Sequence, residues 1–375
     1  MAVSSPQSKA GASRSESNNR SASRERDADM EEHDMDRRTF LRTSVISAAG
    51  IAATMVTGCS KDSGQQAPSP AASSTAVDES GAMTSKTQGS IVTSHSTPGG
   101  SKVYATSDIS ADGLLAVYHA LSFQPSGKVA VKLHMGEQGN DYYVHPTLVD
   151  DLRTEVNGTY VDTTVLYGVR NTADGYASLA TQHGFSPVDI LDSDGGMALP
   201  ISGGRHLSEA LVGSHVDDYQ SFISVAHFKG HAMAGFGGTF KNLAIGLATI
   251  QGKMSVHGSD FETGEPFIER VAEFAKGVFD HFGSNMVCIN VLNNLSVDCD
   301  CDSSPEKPTM ADIAIMASLN PVALDQASFD QILYSKDPGK QSVIDRIESR
   351  DGQHLPEYAE SLGIGNKTYE LVVLD

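Results

Sequence analysis

From about residue 101 onward, short apolar runs alternate with amphipathic stretches, whereas the first hundred residues carry one moderately apolar run, 43–58, and no apolar periodicity. Lys128–Met135 (KVAVKLHM) predicts a strand, followed by a loop and a helix over 146–156 with Pro146 suited to its first turn. Tyr160–Tyr167 predicts a second strand, 173–183 a helix, Val188–Leu191 a short third strand and 206–212 a short helix. Phe222–Phe228 (FISVAHF) predicts another strand, and the Gly-rich turn Gly235–Gly238 comes after it. The next helix places Phe240, Leu243, Ala244 and Leu247 at i, i+3, i+4, i+7. A charged amphipathic helix is expected over 266–282, strands at Met286–Leu292 and Asp312–Ala317, and a final helix capped by Asn320-Pro321 and running to about 333. Strand and helix alternate throughout. That predicts an α/β fold: a mainly parallel open sheet with helices on both faces, with a two-lobed body as a variant.

Composition narrows the function classes. The 375 residues hold 27 Lys+Arg against 47 Asp+Glu, a net charge of −20, which argues against nucleic-acid binding because a phosphate backbone needs basic neutralising groups. The front end changes the picture further. Asp36-Arg37-Arg38-Thr39-Phe40-Leu41-Arg42 is a close match to a twin-arginine export signal. Residues 43–58 are uncharged, too short to span a membrane comfortably, and end at Val56-Thr57-Gly58-Cys59, which resembles a lipoprotein signal-peptidase box with Cys59 lipidated. The expectation is therefore a leader and signal over 1–58, a flexible Ser/Ala/Pro tether over 59–100 and one α/β domain over 101–375. It places the mature chain in the cell envelope, lipid-anchored on the outer face of the cytoplasmic membrane. A translation start at Met30 or Met35 fits a signal of ordinary length better than Met1. Residues 1–58 hold eight basic and eight acidic side chains, so processing leaves 19 and 39 and the same charge of −20.

Several side chains are not ones the fold requires. Val129, Val131 and Leu133 share one face of the first strand, and Lys132 and His134 share the other with Ala130. A parallel strand covered on both sides should be apolar on both, so this is either an edge or half-solvated strand or a ligand site at its carboxyl end. His227, Lys229 and His231 repeat the anomaly after another strand, as metal ligands, as catalytic groups or as ordinary hydrogen-bonded residues. Gly237, Gly238 and Lys241 suit an anion at a helix N-terminus, or else tight packing. Asp298-Cys299-Asp300-Cys301-Asp302 concentrates thiols and carboxylates, which suits a thiophilic cation held by Cys299, Cys301, Asp298 and His231. The alternatives are a disulfide from Cys288 to one of the pair, a redox-active thiol pair, and free thiols in an acidic loop. The neighbouring carboxylates are expected to raise the thiol pKa values and slow their reaction.

The blocks Val129–Gly136 (VAVKLHMG), Ala226–Gly246 (AHFKGHAMAGFGGTFKNLAIG), Gly252-Lys253, Asp298–Cys301 (DCDC) and Asp312–Ala327 (DIAIMASLNPVALDQA) make the body resemble the family called domain of unknown function 362. Many members of that family carry a ferredoxin-like insert with iron–sulfur motifs. Here the corresponding stretch after Lys253 and His257 is the cysteine-free FETGEPFIERVAEFAKGVFDHFG, so a ferredoxin-type cluster is not expected from this chain's own cysteines. What the resemblance implies is a shared set of residues: Lys132, His227, Lys229, His231, Lys241, Asn242, Lys253, Cys299 and Cys301.

Three functions compete on these grounds. The first is a metal- or redox-cofactor-binding lipoprotein with a redox partner. The second is an enzyme on a small anionic substrate, with Lys132, Lys229 and Lys241 binding the anion and His227 or His231 as base. The third is a non-catalytic binding module at the membrane surface.

Overall fold

In the computed structural model, which describes residues 89–375, the described residues form one eight-stranded sheet and two two-stranded ones. Arg37, Arg38 and Cys59, with the signal and most of the expected tether, lie outside the described residues. The strands are β1 (Ser101–Thr106), β2 (Val129–Lys132), β3 (Thr159–Asp162), β4 (Val188–Ile190), β5 (Gly196–Pro200) and β6 (Glu209–Gly213). They continue with β7 (Ser221–His227), β8 (Lys229–His231), β9 (Gly235–Gly237), β10 (Met286–Leu292), β11 (Ala314–Ser318) and β12 (Tyr369–Val373). The main sheet has eight strands in the order β12-β1-β11-β10-β7-β2-β3-β4. Only β11 runs against its neighbours; every other ladder in the sheet is parallel.

The polar residues of β2 are not those of an edge strand. β2 lies between β7 and β3, and its two sets of side chains enter two different cores. Val129, Val131 and Leu133 pack with Leu114, Leu152 and Tyr176 from helices α1 (Ala111–Ala120), α2 (Pro146–Glu155) and α3 (Ala173–Gln182). Ala130 enters the opposite core. That core is built from α4 (Thr239–Ala244), α5 (Ile250–His257), α6 (Glu265–Phe282), α7 (Pro321–Leu333), α8 (Lys340–Glu348) and α9 (His354–Ser361). The i, i+3, i+4, i+7 stripe of Phe240, Leu243, Ala244 and Leu247 is fully buried there. Each Phe or Leu contributes roughly 1.5–3 kcal/mol by leaving water.

Three expectations are corrected. Residues 206–212 do not form a helix: Glu209–Gly213 is a strand paired antiparallel to β5, because Ala210 and Val212 alternate into the core with period two. The helix capped by Asn320 is not the last. Asn320 does accept the N–H groups of Val322 and Ala323, but α8, α9 and β12 follow, with Val343, Ile344 and Ile347 burying one face of α8. Residues 89–100, taken as the end of the tether, lie against the body: Gly89 N–H donates to Asp312 O at 2.6 Å, and Thr97 N–H to Tyr369 O at 2.8 Å.

The chain lays β3 and β4 to one side of β2 and then crosses to place β7 on the other. The strand order therefore reverses between β2 and β7, and open α/β sheets bind ligands outside the carboxyl ends of strands at such a point. No helix among the described residues is long and apolar enough to cross a membrane.

Candidate functional site

Lys132 closes β2 and Asp162 closes β3, side by side in the sheet. Lys132 Nζ stands 3.1 Å from Asp162 Oδ1 and 2.9 Å from Asn242 Oδ1, and Lys132 is only 1 % exposed. Asn242, on α4, returns its amide to Lys132 O and Ser224 Oγ, tying the helix to the end of β2 and the middle of β7. A buried lysine is tolerated here because a carboxylate and an amide oxygen replace its water. Lys253, on α5, donates to Thr163 Oγ1 and Ala248 O at 2.6 Å each; burial lowers its pKa to about 7, against the pull of Asp162. His134, just beyond β2, has Nε2 2.9 Å from Arg170 Nη1. Burial, then the guanidinium, lowers its pKa to about 3, so it is a neutral ring. Arg170 is itself fully buried and paired to Glu137 at 2.7 Å.

At the end of β7, His227 Nδ1 lies 2.8 Å from Asp300 Oδ1 and Nε2 lies 2.6 Å from Asn293 O. Lys229 Nζ donates to Asp300 Oδ2 at 2.6 Å. Both nitrogens of His227 are thus committed to oxygen acceptors within the protein. The β8–β9 ribbon lies directly under the Cys-rich loop: a Cβ on Gly230 would fall 2.6 Å from Val297 Cα, so only glycine permits this approach. Gly230 N–H donates to Ser296 O at 2.8 Å across the same contact.

The ribbon brings His231 to the two thiols. One ligand atom each from His231, Cys299 and Cys301 lies within 4.8 Å of the others, forming a group able to hold a metal ion. Cys299 Sγ and Cys301 Sγ are 2.6 Å apart without a disulfide. Cys301 N–H donates to Cys299 Sγ at 3.3 Å, and Lys241 Nζ lies 3.6 Å from the same sulfur. The hydrogen bond from Cys301, with Lys241 and His231 behind it, holds the Cys299 thiol well below its ordinary pKa, while the shared proton and burial push Cys301 up. His231 Nδ1 accepts the N–H groups of Met233 and Ala234, which leaves the ring proton on Nε2. Burial and then Lys241 lower the His231 pKa to about 4. Cys301 is partly exposed and lines a cleft of about 340 Å³ with Glu137, Gln138, Tyr167, Gly168, Val169 and Ser303.

The structure thus brings together Lys241, His231, Cys299 and Cys301 at one place and Lys132, Asn242 and Lys253 beside them. It separates others. Asp298 turns away, its carboxylate accepting Glu306 N–H at 3.0 Å and facing Arg346 at 3.8 Å, so it is not part of the thiol cluster. His227 does not join His231 as a ligand, because Asp300 and Asn293 hold it. The Gly237-Gly238 turn does not offer an open anion site: the Asp325 carboxylate already accepts Thr239 N–H at 2.9 Å and Phe240 N–H at 3.2 Å. Cys288 is a free thiol in the core, not a disulfide partner. The acidic flank does not raise the Cys299 pKa, since Asp298 points away and Lys229 compensates Asp300. Sequence reasoning chose Asp298 over Asp300 and passed over Asp162, Arg170 and Asp325. Asp162 at a strand's carboxyl end was a readable signal, whereas the burial of Arg170 was not.

A mostly parallel eight-stranded sheet with helices on both faces makes this an α/β protein, with thiol, imidazole and ammonium groups gathered in the segments beyond its strands. Residues 129–330 match the domain of unknown function DUF362, and the chain belongs to that family. No curated protein matches it. Among solved structures, the lactate racemase apoprotein from Thermoanaerobacterium thermosaccharolyticum matches at 15% identity and a TM-score of 0.39, over 61% of this chain and 56% of that one. A structural-genomics protein from Thermotoga maritima matches at 11% identity and a TM-score of 0.35, over 67% and 58%. The chain spans less than two thirds of either.

Proposed function

We propose that this protein is a membrane-anchored, extracytoplasmic protein that holds a thiophilic metal ion through Cys299 and Cys301, with His231 as the nitrogen partner. The convergence of those three side chains within 4.8 Å carries the reading. Two thiolates and an imidazole suit zinc, copper(I) or iron, and three protein ligands leave a coordination position for a small molecule entering past Cys301. The two sulfurs, 2.6 Å apart, would have to open to roughly 3.7 Å to share one tetrahedral ion with metal–sulfur bonds of about 2.3 Å. His231 fits less well: a ligating histidine normally donates its other N–H to an acceptor, whereas Nδ1 here receives two backbone N–H groups. The thiols are therefore the stronger half of the site. A metal held there would supply Lewis acidity or an electron-transfer centre. Lys241 would stand beside it as a fixed positive charge, and Asp300, pinned by His227 and Lys229, would keep the ligand loop in place.

A second reading, a small anionic substrate, is supported by Lys241. Its partner in the structure is a sulfur, whereas Lys132 and Lys229 are already paired to Asp162 and Asp300.

Elemental analysis of the full chain purified from its native membrane tests the metal. One equivalent is expected in the unaltered chain and in Cys288→Ala, and none in Cys299→Ser or Cys301→Ser. A chain without stoichiometric metal sinks the proposal. Export and anchoring are tested separately by fractionation. Arg37→Lys with Arg38→Lys should retain the chain in the cytoplasm, and Cys59→Ser should release it from the membrane; unchanged fractionation would remove the lipoprotein reading.

A further inference from the structure

Cys299 and Cys301 carry a second chemistry that requires no metal. A turn closed by Asp302 N–H on Cys299 O at 3.0 Å sets the two residues side by side. Asp300 between them is pulled inward by His227 and Lys229, so the turn is fixed and the sulfurs stay 2.6 Å apart. That separation needs little movement to close a disulfide. The two thiols differ in access: Cys299 is 7 % exposed beneath Lys241 and His231, while Cys301 opens on the cleft. A reachable thiol backed by a buried one at bonding range is the layout of dithiol exchange, in which the first attacks and the second resolves. The Lys241 ammonium at 3.6 Å and the Cys301 N–H at 3.3 Å provide fixed positive partners for the resolving sulfur.

We propose that Cys301 and Cys299 form a thiol–disulfide exchange centre that reduces a low-molecular-weight disulfide entering the cleft past Tyr167 and Val169. Cys299 Sγ, which accepts the hydrogen bond of the Cys301 thiol, takes up its proton as the Cys301 sulfur attacks one sulfur of that disulfide. The S–S bond of the small molecule breaks, one half leaves as a thiol with that proton, which Cys299 passes on, and the other half remains bonded to Cys301. The Cys299 sulfur then attacks Cys301 Sγ, forms the Cys299–Cys301 disulfide and releases the second half as a thiolate that takes its proton from water. Counted from the dithiol, the protein loses two protons and two electrons, and the small disulfide gains both. The proposal stands whether or not a metal is held, but the two uses compete for the same sulfurs.

The test uses the full chain with Cys59→Ser, so that only the three body cysteines report, treated with chelator and incubated anaerobically with oxidised glutathione. The mass should fall by two hydrogens with no glutathione retained, and a peptide map should show Cys299 joined to Cys301 and Cys288 free. Cys299→Ser should trap one glutathione on Cys301. Cys301→Ser should react at least roughly tenfold more slowly, because the remaining thiol is covered. Retention of both thiols in the parent chain, or equal trapping rates in the two variants, overturns the proposal. If a variant fails to fold, the peptide map of the parent decides alone. Zinc binding with no disulfide formation defeats this inference and leaves the metal reading. A disulfide in a chain that takes up neither zinc, copper(I) nor iron supports the inference and defeats that reading.

Discussion

Lys229 Nζ lies 2.6 Å from Asp300 Oδ2, with both side chains buried and the carboxylate's other oxygen on His227. This pair fastens the middle of the Cys-rich turn to the start of β8, so the positions of both sulfurs depend on it. Asp300→Asn keeps the shape but leaves the Lys229 ammonium without its counter-charge. Breaking such a pair from one side costs about 3–5 kcal/mol. Urea unfolding at neutral pH should show that loss, and a loss below about 1 kcal/mol would mean the pair is not what holds the turn. Burial alone would push the Asp300 carboxyl up, but His227 and Lys229 outweigh it and hold it below the ordinary carboxylate range. The contribution is therefore fully present above the unfolded value, near pH 4, and is lost as pH falls through the lower folded value.

The Lys253 amine acts in the same direction in a higher pH window. Its pKa is lowered by burial to about 7 in the folded chain, so between there and the ordinary lysine value the unfolded chain binds more protons. Stability from this group rises with pH across that interval and is lost again as pH falls toward 7. Lys253→Met should flatten that part of the curve. The measurement is the difference in unfolding free energy between pH 7 and pH 9.5, parent minus variant. Identical differences would show that the amine is solvated in the folded chain.

The fold was largely legible because buried parallel strands and amphipathic helices write their periods plainly: β10 coincides with its predicted span, and α7 begins at the cap that Asn320-Pro321 announced. Glu209–Gly213 was misjudged because five residues with only two buried side chains, Ala210 and Val212, fit either period. The site was legible by residue type but not by partner. Lys132, Lys241, Cys299 and Cys301 were identifiable as chemistry the core did not need. Which carboxylate served them was not, because Asp298 and Asp300 are equivalent in sequence. Only the fold decides that Asp300 turns inward to His227 and Lys229 while Asp298 faces Arg346. The helix at Thr239 misled for a similar reason: its anion comes from a residue 86 positions away.

The segment before β1 should matter to stability. Gln331, buried on α7, accepts Val92 N–H through Oε1 at 2.6 Å and returns Nε2 to Val92 O at 2.9 Å, while the His95 ring stacks on Tyr334. Gln331→Leu strands both Val92 groups, at about 1–3 kcal/mol for a buried polar group left unsatisfied. A chain beginning at residue 89 should be more stable to heat than one beginning at residue 101. Equal melting temperatures would show that the segment contributes nothing to the body.

Asp325 makes the sharpest case for a site occupied from within. Its carboxylate accepts Thr239 N–H, Phe240 N–H and Asn290 Nδ2–H, and burial is the main cause of its raised pKa. A Cβ on Gly238 would fall 2.7 Å from Asp325 Oδ1, so the glycine is required by the carboxylate and not by an external ligand. Asp325→Ala should cost several kcal/mol, since it leaves three buried donors unmet at about 1–3 kcal/mol each. Gly238→Ala should also destabilise the parent. In the Asp325→Ala background the same change should cost much less, because the clashing group is gone, so the two effects should not add. Opening the helix N-terminus in this way should also create the anion site that the glycines suggested. Sulfate should then raise the melting temperature of Asp325→Ala but not of the parent. Additive costs, or an equal sulfate response in both chains, would show that the carboxylate does not fill this place.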